Sequence, residues 1–182
     1  MPGASFEDVY LVNPAHVRPS TPDEVAAAET ELGVRMPAGY GEYVRKLCRR
    51  RVPPGVLAYD GDEVAGWAGI APRANLPVTR STKIRAVDDL PVWNIFCVRV
   101  RPGFRGRGIS LDLVNGAVEL ARSHGAPGVE AIPVDNGTAK VDLTMAFVGT
   151  RGLFERAGFA KVADTDSVTD GFPRVVMRLS WA

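Results

Sequence analysis

The spacing of apolar and polar residues divides the chain into strand and helix segments. Short apolar runs predict strands at residues 6–12, 56–59, 64–70, 92–100, 128–134, 161–163 and 174–181. Ile109, Leu113, Ala117 and Leu120 form an apolar stripe that predicts an amphipathic helix. Further helices are expected at about residues 22–32, 40–50 and 151–157. The order β-α-α-β-β-β-α-β-α-β-β predicts an α/β fold with a mixed sheet.

Two long segments between these elements show no periodicity, residues 71–91 and 135–149. Long loops in a compact domain are often functional, so both are expected to line a binding pocket. The first loop is rich in basic residues: Arg73, Arg80, Lys83 and Arg85. These side chains would suit a ligand with acidic groups, or else they are solvated or paired with Asp88 and Asp89.

Composition excludes several classes of protein. A chain of 182 residues suits one domain, and its net charge of +1 provides no global field for nucleic acid or an anionic membrane. Two cysteines are too few for a disulfide scaffold or a zinc site. The sequence shows no apolar run that could span a bilayer and no signal peptide, so we expect a cytoplasmic protein.

Residues 98–110 hold the most informative pattern, an apolar strand that runs through a Gly- and Arg-rich turn into the 109–120 helix. Gly106 and Gly108 permit positive φ angles, and successive amides in such a turn converge on an anion. The helix N-terminus adds free N–H groups, and Arg105 and Arg107 add charge suited to phosphate. The spacing matches neither a P-loop nor Gly-x-Gly-x-x-Gly. The pattern predicts a site for phosphate or pyrophosphate.

This turn resembles the coenzyme A signature of the GNAT acyltransferase superfamily, Arg/Gln-x-x-Gly-x-Gly/Ala. The signature reads RGRGIS at residues 105–110, with Ser110 in the last small position, and the preceding frame Val-x-Val-x-Pro-x-x-Arg matches residues 98–105. The resemblance implies a mixed, mostly antiparallel sheet of about seven strands in a single domain over residues 1–182. It is most specific over residues 55–182, while residues 1–52 would supply a strand and two helices.

The resemblance also implies an acetyl-CoA-dependent N-acetyltransferase, without a metal, in which a primary amine attacks the thioester directly. The acceptor would be a small molecule or a peptide, with no nucleic acid or membrane involved. Backbone groups of Val98, Arg99 and Val100 would pair with the pantetheine arm, and an N–H near Val98 would donate to the thioester oxygen. The pyrophosphate would lie on Arg105, Gly106, Arg107, Gly108, Ile109 and Ser110.

The base that deprotonates the amine is not evident, because residues 92–96 contain no Asp or Glu. Glu130, on the neighbouring predicted strand, is the first candidate, and Asp135, Asp88 and Asp89 could act through water. Phe154 stands where many family members place a Tyr that protonates the leaving thiolate. Cys97 could suggest an acyl-enzyme, but a buried strand cysteine is the favoured interpretation.

Two alternatives from other functional classes stay open. One is a non-catalytic acyl-CoA-binding sensor, suggested by Phe154 and by the strand without carboxylates. The other is an interaction module, because residues 21–40 resemble the opening helix of SUKH-type domains through Glu29, Leu32, Gly33, Met36-Pro37 and Tyr40, with Met where Leu is usual. A helix followed by a Pro-bounded turn explains that segment equally well, and a homodimer is left open.

Overall fold

A computed structural model describes residues 52–61, 63–142 and 144–181 of the chain. The chain divides into two compact units, Met1–Pro54 and Gly55–Ala182, and all the described helices and strands belong to the second. The strand expected at residues 6–12, the two N-terminal helices and the SUKH-like segment lie outside the described residues. Those expectations stay predictions.

The described strands form one six-stranded sheet of order β1-β2-β3-β4-β6-β5. Their bounds are Gly55–Asp60 (β1), Glu63–Pro72 (β2), Trp93–Val100 (β3), Gly128–Ala131 (β4), Ala160–Thr169 (β5) and Phe172–Ser180 (β6). Every neighbouring pair is antiparallel except β3 and β4, which are parallel. The predicted mixed, mostly antiparallel α/β fold is confirmed, with six strands in the described part of the chain.

Helix α1 (Ile109–Ser123) covers one face of the sheet, as its apolar stripe predicted. Its residues Leu113, Val114 and Ala117 are almost fully buried, and the helix packs against β1, β2 and β3. Gly125 follows the helix with a φ of 74°, and its N–H donates to the carbonyl of Arg122. A shorter helix, α2 (Arg151–Arg156), precedes β5.

Two strands, β4 and β5, end well away from the predicted residue. β4 ends at Ala131, not at residue 134, because Pro133 has no N–H to continue the ladder. β5 extends to Thr169, well beyond the expected residue 163, because Asp170 and Gly171 form a tight turn with φ angles of 53° and 78°. Most of β5 is solvent-exposed, so it has no continuous apolar pattern to mark its length.

Beside the Gly- and Arg-rich turn, β3 contains a bulge and separates from β4. Gly69 pairs with Cys97 and Ile70 pairs with Ile95, which leaves Phe96 as one extra residue on β3. Pairing between β3 and β4 covers only Trp93–Ile95. On the side away from β2, the edge of β3 from Val98 to Val100 therefore has no partner strand among the described residues.

Candidate active site

A cavity of about 260 Å³ lies where the open edge of β3 meets the turn and the start of α1. We call it the turn cavity. Eight of the residues predicted to bind the cofactor line it: Val98, Arg99, Val100, Arg105, Gly106, Gly108, Ile109 and Ser110. Ala146, Gly149, Thr150, Leu153 and Arg156 close the other side. The structure thus brings together groups that the sequence placed along one short segment.

The turn has the backbone conformation that an anion cradle requires. Gly106 and Gly108 have φ angles of 78° and 85°, and a β-carbon added at either would meet no atom within 4 Å. Gly108 is also the N-cap of α1, with no side chain to occupy the first N–H groups of the helix. The Leu111 N–H donates to the Gly108 carbonyl at 2.8 Å, which leaves the N–H groups of Ile109 and Ser110 and the positive end of the helix dipole for an anion.

The charges around the turn are distributed differently from the sequence expectation. Arg107 does not line the turn cavity, because its guanidinium pairs with Asp60 at 2.6 Å and donates to the carbonyl of Gly103 at 3.2 Å. Arg156, in the last turn of α2, lines the cavity. No sequence pattern distinguishes Arg156, because a basic residue at a helix C-terminus is common.

The open edge of β3 is partly covered by the segment that precedes α2. The Val98 N–H donates to the carbonyl oxygen of Phe147 at 2.8 Å, and Arg99 donates to the carbonyl of Thr144 at 3.2 Å. Val98 was expected to donate to a thioester oxygen. In this structure its N–H is occupied by a backbone carbonyl.

Glu130 does not line the turn cavity but a second one. Its carboxylate is buried and accepts hydrogen bonds from Arg73 at 3.1 and 3.2 Å and from Arg178 at 2.6 and 3.0 Å. Arg178 also holds Asp88 through two hydrogen bonds of 2.6 and 3.0 Å. Glu130 is thus a member of a four-residue ion network, and the geometry does not bring it to Val98.

The other predicted carboxylates are also paired or exposed. A hydrogen bond from Arg178 lowers the pKa of Asp88, which makes it a weaker base. Asp135 pairs with Arg151 at 3.0 Å, and Asp89 is solvent-exposed. The identity of a general base stays a prediction.

Two further side chains have roles that the packing explains. Burial raises the pKa of the Cys97 thiol, so the thiol stays protonated near neutral pH. Phe154 is fully buried and packs edge-on against Phe159, with ring centroids 5.2 Å apart. Phe154 therefore belongs to the apolar core, whereas Cys97 is only half-buried and not fully buried as expected.

No helix in the described ranges is long and apolar enough to cross a membrane. Across the same residues, no group of three His, Cys, Asp or Glu side chains could hold a metal ion.

Comparison with solved structures shows the same fold in several acetyltransferases. A ribosomal-protein-alanine N-acetyltransferase from Brucella melitensis is 15% identical, with 90% of this chain and 98% of that chain covered and a TM-score of 0.52. Ard1 from Thermoplasma volcanium is 15% identical, with 91% and 96% covered and a TM-score of 0.51. A structure from Corynebacterium glutamicum, described as histone acetyltransferase HPA2 and related acetyltransferase, is 20% identical, with 98% and 88% covered and a TM-score of 0.50.

No curated protein is significantly similar to the chain. The sequence model of the acetyltransferase (GNAT) family matches residues 28–159, which include the turn, α1 and α2. The chain therefore belongs to the GNAT family of acetyltransferases.

Proposed function

We propose that this acetyltransferase moves the acetyl group of acetyl-CoA to a primary amine on a small molecule or a peptide. The amine nitrogen forms a bond to the thioester carbonyl carbon, the C–S bond breaks, and the nitrogen loses a proton. The observation that carries this proposal is the turn cavity, where a Gly-rich turn and a helix N-terminus adjoin the edge of β3 that pairs with no other strand on that side. Family membership supports acetyl-CoA as the donor.

Each side of the turn cavity suits one part of the donor. Backbone N–H groups at Gly106, Gly108 and the start of α1 would hold the pyrophosphate, with Arg105 and Arg156 adding charge. The unpaired edge at Val98–Val100 would pair with the amide groups of the pantetheine arm, in the manner of an added strand. When bound, acetyl-CoA supplies an activated acyl group, and much of the acceleration comes from holding the amine beside it.

The contact between Val98 and Phe147 must open for the oxyanion to be stabilised. A strand N–H aimed at the developing negative charge lowers the barrier only when no other acceptor occupies it. We therefore propose that residues 144–149 move away from β3 when the donor binds. A thiolate whose thiol has a pKa of about 8.5 is a good leaving group. The C–S bond can therefore break without a proton donor at the position of Phe154.

Calorimetric titration with CoA and acetyl-CoA tests the donor site, and two glycines provide a matched comparison. Gly106 and Gly171 both have a φ of 78° and open space at the β-carbon position, but only Gly106 lines the turn cavity. Replacement of either by Ala adds a similar backbone strain of about 1–2 kcal/mol. Gly106→Ala should weaken CoA binding by about tenfold or more, and Gly171→Ala should not. Equal affinity in both variants would overturn the assignment.

A second candidate, a non-catalytic acyl-CoA sensor, is favoured by the occupied Val98 N–H. A sensor would bind acetyl-CoA tightly yet release no CoA in the presence of a panel of primary amines. Catalytic release of CoA with any amine, above the rate of hydrolysis, excludes the sensor.

A further inference from the structure

A second cavity, of about 70 Å³, lies between the loop that follows β2 and the strands β3, β4 and β6. We call it the Asn94 cavity. Its walls are mostly apolar, and its polar lining consists of Arg73, Thr79, Arg85, Asn94 and Glu130. The volume suits a carboxylate with a short stem and is far below that of a nucleotide.

Asn94 has an unsatisfied donor in this cavity. The residue is only 3% exposed, and its Nδ2 is buried with no hydrogen-bond partner. Burial of an amide without a partner costs about 1–3 kcal/mol in lost hydration, unless a ligand or an ordered water accepts a hydrogen bond from it. Asn94 is in register with Glu130 across the β3–β4 pair, so both side chains lie on the same face of the sheet.

The charges beside Asn94 favour an anion. Glu130 and Asp88 are matched by Arg73 and Arg178, so the ion network is neutral. Arg85 adds a positive charge to the lining and has no ion pair with any residue that the structure describes. An ammonium group would meet this positive charge and the N–H groups of Asn94, whereas a carboxylate would accept from both.

We infer that the Asn94 cavity binds the carboxylate of a small organic ligand, with Asn94 Nδ2 and the Arg85 guanidinium as donors. The carboxylate has two possible sources. It belongs to the acceptor itself, an interpretation that rests on the proposed function, or to a separate small acid. Asn94 and Val98 are four residues apart on β3, on the order of 13 Å, a distance that one amine with a terminal carboxylate can span.

NMR titration with sodium propionate, using sodium chloride as the anion control, tests the site directly. Propionate should shift the Asn94 side-chain amide signals of the wild-type protein, and chloride should not; the backbone amide signal of Glu130, which also lines the cavity, reports binding in every variant. Asn94→Leu removes the donor at similar volume, and Arg85→Gln removes the charge from an exposed position without risk to the core. Arg80→Gln is the matched control, because Arg80 is exposed on the same loop and does not line the cavity. The first two variants should weaken binding by about tenfold or more, and the control should not.

The outcomes separate this inference from the proposed function. If propionate does not bind, or binds equally to all variants, the Asn94 cavity holds only ordered water and the inference is overturned. If it binds as expected while no amine is acetylated, the proposed function fails and the inference stands.

Acetylation of 6-aminohexanoate and of pentylamine then identifies the source of the carboxylate. A preference for 6-aminohexanoate that Asn94→Leu abolishes and Arg80→Gln retains assigns the carboxylate to the acceptor. Propionate binding without any such preference assigns it to a separate acid.

Discussion

Cys97 lies on β3 next to Val98, where the thioester carbon is expected, yet its surroundings make it a poor nucleophile. Burial raises the pKa of its thiol, against a smaller opposing effect of Arg99. Thiolate is the reactive form, so little of it is available at neutral pH. Cys97→Ala should leave kcat/KM within about threefold of wild type. A loss of turnover, together with an acetyl adduct on the intact wild-type protein by mass spectrometry, would instead indicate an acyl-enzyme.

Glu130 joins two arginines that are themselves largely buried. Arg73 and Arg178 have side chains 12% and 9% exposed, against 3% for Glu130. Glu130→Gln leaves Asp88 as the one remaining carboxylate beside two largely buried cations, and should lower the free energy of unfolding by about 3–5 kcal/mol in urea titrations. Glu119→Gln is the control, because its pair with Arg122 is exposed and its loss should cost less than about 1 kcal/mol.

The same variant tests Glu130 as the general base. Its oxygens already accept from two guanidinium groups, so we expect the pH profile of kcat/KM to keep its acidic limb in Glu130→Gln. If the acidic limb of the profile is retained, Glu130 positions the two arginines and does not accept the proton. Disappearance of the limb in a variant that is still folded would show that Glu130 accepts the proton.

At the scale of elements, the loop between β2 and β3 is fastened to the sheet by ion pairs. Arg73 donates to the carbonyls of Asp88 and Leu90 at 2.6 and 2.8 Å, and Arg178 on β6 holds the Asp88 carboxylate. The pKa of Asp88 is lowered chiefly by that hydrogen bond from Arg178. This loop forms part of the wall of the Asn94 cavity, so its attachment decides whether the cavity persists.

Because the folded pKa of Asp88 lies below its unfolded value, its contribution to stability is complete above the unfolded pKa. That contribution is lost as the pH falls through the lower, folded pKa. Unfolding free energies measured in urea should therefore decline below about pH 4. Asp88→Asn should make this decline less steep. It should not abolish the decline, because Asp142 also has a lowered pKa and contributes to it. An unchanged acid dependence in Asp88→Asn would show that the Arg178 pair does not fasten the loop.

Elements with a local cause were predictable from the sequence, whereas those set by tertiary contacts were not. Helix α1 was predicted because its apolar stripe and Gly125 act within one segment. The length of β5 was missed, although the Asp170-Gly171 pair is a strong hairpin signal, because the strand is mostly exposed and lacks apolar alternation. The end of β4 at Ala131 follows from Pro133, whose missing N–H can be read directly from the sequence.

At the scale of the whole molecule, the two cavities differ in how far sequence can reveal them. The turn cavity draws most of its lining from the continuous segment 98–110, so a local pattern was sufficient to predict which residues meet there. The Asn94 cavity combines a loop with Asn94, Glu130 and Val176, which only the sheet order brings together. Its unsatisfied amide has no sequence signature, because an Asn in a strand is ordinarily hydrogen-bonded.

The charge distribution of the whole molecule leads to a last prediction. The net charge is only +1, so attraction of a polyanionic ligand must come from the cations that line the turn cavity: Arg99, Arg105 and Arg156. Arg99 already donates to the carbonyl of Thr144, so Arg105 and Arg156 are the two to replace. Both are exposed and therefore subject to screening. Raising sodium chloride from about 0.05 to 0.5 M should weaken CoA binding by about tenfold in calorimetric titrations. Pantetheine, which lacks the pyrophosphate, should show no such dependence, and in a variant with Arg105→Gln and Arg156→Gln the dependence for CoA should flatten. A salt dependence that survives both substitutions would place the phosphates elsewhere on the protein.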